Sequence, residues 1–160
     1  MVPCAPMAAA RRRSASSANS TVAAAAAPDL KRVTLELGGN DAAIVLPDVD
    51  VARTAKRLFW GAFENCGQVC SAIKRVYVPE SLYESMVAHL AEMARGVKVG
   101  NGLDEDSQLG PINNRPQFER VQELVEDARQ AGARLVTGGQ CLGEGGYFYA
   151  PTIVADLQDG

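Results

Sequence analysis

The chain has 160 residues, 47% of them hydrophobic, with a net charge of −3, four cysteines and a single histidine. That is one ordinary domain with enough apolar material for a core. It is too acidic to favour nucleic acid or an anionic membrane surface, and no apolar run nears the ~18 residues of a membrane span.

Residues 1–27 are rich in Ala and Ser, carry the triplet Arg11-Arg12-Arg13 and lack acids. They read as a disordered or transit-like leader, leaving 28–160 as the folded domain. Val33, Leu35 and Leu37 alternate with Thr34 and Glu36. That pattern predicts a strand with Glu36 on the face opposite the aliphatics. Gly38-Gly39-Asn40-Asp41 breaks it. The apolar run 42–46 predicts a strand covered on both faces, and Pro47 ends it. Asp48 or Asp50 is placed to cap a helix whose apolar stripe is Ala55, Leu58, Phe59, Ala62 and Phe63. Asn65-Cys66-Gly67 stops that helix, and Cys70 follows within a turn.

A second short β run covers 74–78, up to Pro79. Ser81 with Glu84 forms a capping-box pattern. The helix after it directs Leu82, Met86, Leu90, Met93 and Ala94 inward and ends near Gly96. A polar loop over 100–115 leads to a helix starting at Pro116. Its stripe is Phe118, Val121, Leu124, Val125 and Ala128, with Gly132 as the residue just past its end. Residues 135–137 predict a strand. The five glycines within 138–146 predict a turn, and 147–154 a last strand interrupted by Pro151. Strands alternating with helices predict an α/β fold, a mostly parallel sheet flanked by helices.

The cysteines Cys4, Cys66, Cys70 and Cys141 are unequally spaced. This suits a reduced protein, expected in the cytoplasm; a leader that acted as a transit peptide would instead imply a mitochondrion or plastid. With one histidine in the chain, no metal site is expected. Cys70 is the candidate nucleophile. A cysteine attacks as thiolate, and backbone N–H groups converging after a glycine turn favour the anion. The competing reading of Cys70 is an inert core thiol. Glu36, between two leucines and before a Gly pair, is the candidate base. Burial in a cleft would raise its pKa toward that of a useful base; the competing reading is a solvated strand residue. His89 reads as a half-exposed helix residue and 104–106 as a solvated acidic loop. Cys66 and Cys70 are four positions apart, which allows a strained disulfide.

Two motifs, Leu35-Glu36-Leu37-Gly38-Gly39 and Phe63-x-Asn65-x-Gly67-Gln68-x-Cys70, lie 34 residues apart. They are followed in order by Arg75-Val76-Tyr77-Val78, Gln108-Leu109-Gly110-Pro111, Gly138-Gly139 and Gly146-Tyr147-Phe148. This ordered set resembles the aldehyde dehydrogenase superfamily over about residues 20–160. The resemblance implies a partial aldehyde dehydrogenase catalytic domain and oxidation of an aldehyde with NAD or NADP as acceptor. It assigns Cys70 the formation of a thiohemiacetal and then a thioester, Glu36 the activation of hydrolytic water, and Gly38 a place near the nicotinamide. Trp60 and Phe63 would lie on the helix bordering the substrate tunnel. The family's cofactor domain, its oxyanion Asn, its ribose-binding stretch and its oligomer-forming strands have no counterpart here. The chain therefore reads as the central slice of such an enzyme, whose family members are homo-oligomeric. Two other functional readings stand beside this one: a cofactor-independent thiol esterase using Cys70 and Glu36, and an inactive truncated or interaction protein.

Overall fold

The computed structural model describes residues 2–4, 16–143 and 145–157. In chain order the elements are β1 (Val2–Cys4), α1 (Ser16–Ala26), β2 (Asp41–Ile44), α2 (Val51–Phe63), β3 (Ile73–Val78), α3 (Glu80–Gly96), α4 (Arg115–Gln130), β4 (Arg134–Thr137) and β5 (Ile153–Ala155). Short 3-10 turns follow α1 at Ala27–Asp29 and α2 at Glu64–Gly67. One sheet has the order β1-β3-β2, with β2 parallel and β1 antiparallel to β3. β4 and β5 form a separate antiparallel pair.

The helix stripes behave as their spacing predicts. α2 buries Ala55, Leu58, Phe59 and Phe63, and Asp50 caps it by accepting from the Arg53 amide at 2.9 Å. Phe59 is 1% exposed and its ring lies 4.8 Å from that of Phe63. These residues pack with Val76 and Val78 of β3 and with Tyr83, Met86, Val87 and Leu90 of α3 in one apolar cluster. A fully buried side chain of this size contributes about 1.5–3 kcal/mol relative to exposure. α4 starts as expected, with Asn114 accepting from the Gln117 amide at 3.0 Å, and Gly132 adopts a left-handed φ of 83°.

Four expectations fail for physical reasons. Residues 33–37 are not a strand; 31–40 carry no regular structure, and Val33, Leu35 and Leu37 are exposed. A strand needs a neighbour for its N–H and C=O groups, and pairing with β3 begins only at Asp41, opposite Ile73. The 42–46 run is covered on one face only: Val45 is buried, whereas Ile44 and Leu46 are 70% and 60% exposed. The capping box does not form. α3 begins at Glu80 behind Pro79, so Ser81 lies inside the first turn and cannot cap it. The last strand contracts to Ile153–Ala155, since Pro151 has no N–H to donate to a ladder. Before it only Tyr149 bridges, to Cys141.

Residues 1–27 contain regular elements. Val2–Cys4 pairs with Val76–Val78 of β3, and Ser16–Ala26 is helical. From Ser20 onward α1 has no buried residue. The Arg11-Arg12-Arg13 triplet lies outside the described residues.

Candidate active site

The site begins where α2 ends. Asn65, Cys66 and Gly67 take left-handed φ values of 50°, 58° and 72° in succession. Asn and Gly tolerate this region; a cysteine there is strained by about 1–3 kcal/mol and must be held by its surroundings. Two contacts hold it. The Cys66 thiol donates to the Gly110 carbonyl at 3.0 Å, and the Gln68 side chain donates to the Asn65 carbonyl at 3.1 Å. Asn113 N–H donates in turn to Gln68 Oε1 at 2.7 Å. Gly110, in the Gln108-Leu109-Gly110-Pro111 stretch, and Asn113 after it thus brace the turn from 44 and 45 residues away. Cys66 also faces an apolar cleft lined by Phe63, Leu109, Ile112, Val121 and Leu124. Burial there pushes its thiol pKa up, and the bond to Gly110 opposes the shift only in part.

Cys70 lies on the next turn, with its side chain exposed. The loop it belongs to is closed by Ala72 N–H donating to Val69 O at 3.0 Å. Lys74 Nζ donates to the carbonyls of both Gly67 (3.1 Å) and Ala72 (3.0 Å). Cys70 is therefore not the buried, inert thiol that was its competing reading.

Parallel pairing brings the second motif to this loop. Cys70 precedes β3 by three residues and Gly39 precedes β2 by two, and the two strands start side by side at Asp41 and Ile73. Gly39 packs so closely on the loop that a Cβ there would overlap the Cys70 carbonyl oxygen. Arg75 fixes the approach by donating to the Asn40 carbonyl at 2.9 Å. The structure thus brings the Gly38-Gly39 segment against the Cys70 loop.

Glu36 lies three residues upstream of Gly39, a chain length of at most about 11 Å. Its side chain is exposed, so the cleft burial expected of it is not provided by the described residues. Gly38 is exposed as well, and a Cβ there would meet nothing within 4 Å. Among the described residues no glycine-rich loop opens a helix.

The remaining candidates are peripheral. His89 Nδ1 lies 2.9 Å from the Ser85 carbonyl of its own helix. Cys66, Cys70 and Cys141 are free thiols. Asp106 pairs with Lys98 at 3.0 Å on the surface. Trp60 packs edge-on against Phe59, 5.3 Å between centroids. Sequence reasoning missed Gly110, Asn113, Lys74 and Arg75 as parts of the site. The signal for the last two was a pair of cations at the head of an otherwise apolar strand.

This is an α/β unit in which two loops, one bearing a thiol and one a carboxylate and an open glycine, leave the same end of a parallel strand pair. Residues 14–160 match the aldehyde dehydrogenase family, and the chain belongs to that family. It is 47% identical over 133 residues to a probable aldehyde dehydrogenase of a Pseudomonas species, covering 83% of this chain and 27% of that one. It is 44% identical to a mitochondrial aldehyde dehydrogenase of Leishmania tarentolae, over 82% and 26% of the two chains. Among solved structures, the NAD+ complex of an aldehyde dehydrogenase from Bacillus cereus superposes with a TM-score of 0.82 at 37% identity, over 88% of this chain and 29% of that one. Aldehyde dehydrogenase C from Pseudomonas syringae, solved with NAD+ and octanal, gives 0.81 at 40% identity, over 88% and 30%. The chain thus spans little more than a quarter of the length of these relatives. Their fold confirms the α/β reading, and NAD or NADP is the cofactor of the family.

Proposed function

We propose that this chain carries the covalent half of NAD(P)-dependent aldehyde oxidation, with Cys70 as nucleophile and Glu36 as base. The observation that carries the reading is the parallel start of β2 and β3, which packs Gly39 against the Cys70 carbonyl. The Cys70 thiolate adds to the aldehyde carbon and forms a thiohemiacetal alkoxide. Gly38 would lie against the nicotinamide, which when bound would supply the hydride acceptor; loss of the hydride leaves Cys70 as a thioester. Glu36 takes a proton from water, the resulting hydroxide attacks the thioester carbonyl, and the acid leaves as the thiolate is restored. The described residues contain no helix long and apolar enough to cross a membrane. We read residues 28–160 as the catalytic part and 1–27 as a leader. The expected location is the cytoplasm, or a mitochondrion or plastid if that leader is a transit peptide.

The thiol and base steps are testable without the cofactor. p-Nitrophenyl acetate should acylate Cys70, seen as a 42 Da gain by peptide mass spectrometry with release of p-nitrophenol (~42 Da is the mass of an acetyl group replacing a proton). Glu36→Gln should leave acylation intact and slow deacylation by roughly 10²-fold or more. Acylation of Cys141 instead of Cys70, or unchanged deacylation in Glu36→Gln, would refute the assignment. Sustained ester turnover, with no NADH formed from an aldehyde and NAD+ when the cofactor domain of a relative is supplied, would favour the thiol-esterase reading.

A further inference from the structure

The nucleophile loop has a second built feature that the thiol and carboxylate chemistry does not use. Lys74 is half-buried at the head of β3, and its ammonium turns back over the loop instead of extending to solvent. It donates to the carbonyl of Gly67, the last residue of the left-handed turn, and to the Ala72 carbonyl, just before the strand. One nitrogen therefore ties together the two ends of the six-residue segment that presents Cys70. Two of its three N–H donors are committed to backbone oxygens. The ammonium also interacts electrostatically with Asp41 across the β2–β3 start and with Cys70 itself.

We propose that Lys74 is a positioning residue for Cys70: it staples the 67–72 loop shut and holds a positive charge beside the thiol. This rests on Cys70 being the nucleophile. The two roles are physically separate. The staple limits the orientations of the thiol, since each end of the loop is fixed to the same atom. The charge, held on the loop that carries Cys70, draws anionic reagents toward the thiol. Burial lowers the Lys74 pKa, and the neighbouring Asp41 and Cys70 oppose that shift only in part. Asp41 is the competing claimant for the charge, and removing its carboxylate should strengthen the effect on Cys70.

The test uses the full chain and two small alkylating probes, neutral iodoacetamide and anionic iodoacetate, with modification read site by site by peptide mass spectrometry. At low salt, Cys70 should prefer iodoacetate over iodoacetamide by roughly threefold more than the neutral thiol N-acetylcysteinamide does, and the preference should shrink as salt rises. Lys74→Met should abolish the preference and slow Cys70 alkylation by roughly threefold to tenfold. Lys74→Arg, which keeps both charge and donors, should restore most of it. An unchanged probe ratio in Lys74→Met, or the absence of any salt-sensitive preference in the unmodified chain, overturns the proposal. The second measurement decides the matter even if Lys74→Met fails to fold. The ester acylation of Cys70 is read separately, so loss of the Lys74 effect with Cys70 still acylated removes this inference and leaves the proposed function standing.

Discussion

Gly39→Ala and Gly38→Ala form a matched pair that tests how the two loops meet. Neither glycine has a left-handed φ, so alanine carries no backbone penalty at either position and only space distinguishes them. At Gly38 an added Cβ meets nothing within 4 Å. At Gly39 it overlaps the Cys70 carbonyl oxygen and lies 3.2 Å from the Cys70 carbonyl carbon and 3.1 Å from Asp41 Oδ1. The two Cys70 atoms are backbone and cannot rotate aside, whereas the Asp41 carboxylate can. Arg75 holds the Asn40 carbonyl at 2.9 Å, and the β2–β3 pairing begins at the next residue, so the glycine segment cannot retreat cheaply either. Overpacking of this kind costs about 1–3 kcal/mol, whereas Gly38→Ala should stay within about 0.5 kcal/mol of the parent. Urea unfolding at unchanged m-value reads the difference. Cys70 alkylation by iodoacetamide should change in Gly39→Ala, because the strain falls on the peptide that carries the thiol, and should not change in Gly38→Ala. Equal stability of the two variants, or equal Cys70 reactivity, would refute the close contact of the two motifs.

Two further predictions concern the other cysteine of the loop and the far end of the fold. Cys66 is half-buried, bonded to the Gly110 carbonyl, and has a raised pKa from burial. Iodoacetamide at neutral pH should therefore label it more slowly than exposed Cys70, and in urea the two should converge; faster native labelling of Cys66 would contradict the braced turn. At the other end, the Arg134 guanidinium, 2.7 Å away, and the Tyr83 hydroxyl, 2.7 Å away, hold the Asp156 carboxyl below its usual range. A carboxyl with a lowered folded pKa adds stability that is full above the unfolded value, about 3.9, and is lost as pH falls through the folded one. The pair is partly exposed, 41% and 44%, so the effect is small and salt-sensitive. Asp156 has a φ of 62°, which asparagine tolerates, so Asp156→Asn should flatten the acid side of the melting-temperature curve without straining the backbone. Parallel curves for the two proteins from pH 5 to pH 2 would exclude the linkage.

Much of this protein was legible from spacing because the forces involved are local. The stripe from Ala55 to Phe63, the Asp50 cap and the stop at Asn65-Cys66-Gly67 all act within one helix, and neighbouring residues decide them. The two motifs flanking Gly39 and Cys70 were legible for a related reason: glycine next to a reactive side chain marks a close backbone approach wherever the partner lies. Residues 33–37 were misread because alternation describes a strand's faces and says nothing about whether a neighbour is present to pair with it. The same gap hid the exposure of Glu36, Ile44 and Leu46, since burial belongs to what packs from outside the segment.

The sequence by itself determined α2, α3 and α4, the Asp50 cap, the turn that ends α2 and the identity of the two motifs. The tertiary structure alone decided that those motifs meet, that Gly110 and Asn113 brace the turn, and that Lys74 closes the loop over Cys70. Those contacts join residues that local periodicity does not relate, and they exist because β2 and β3 run parallel and start level, so that whatever precedes one strand is set beside whatever precedes the other.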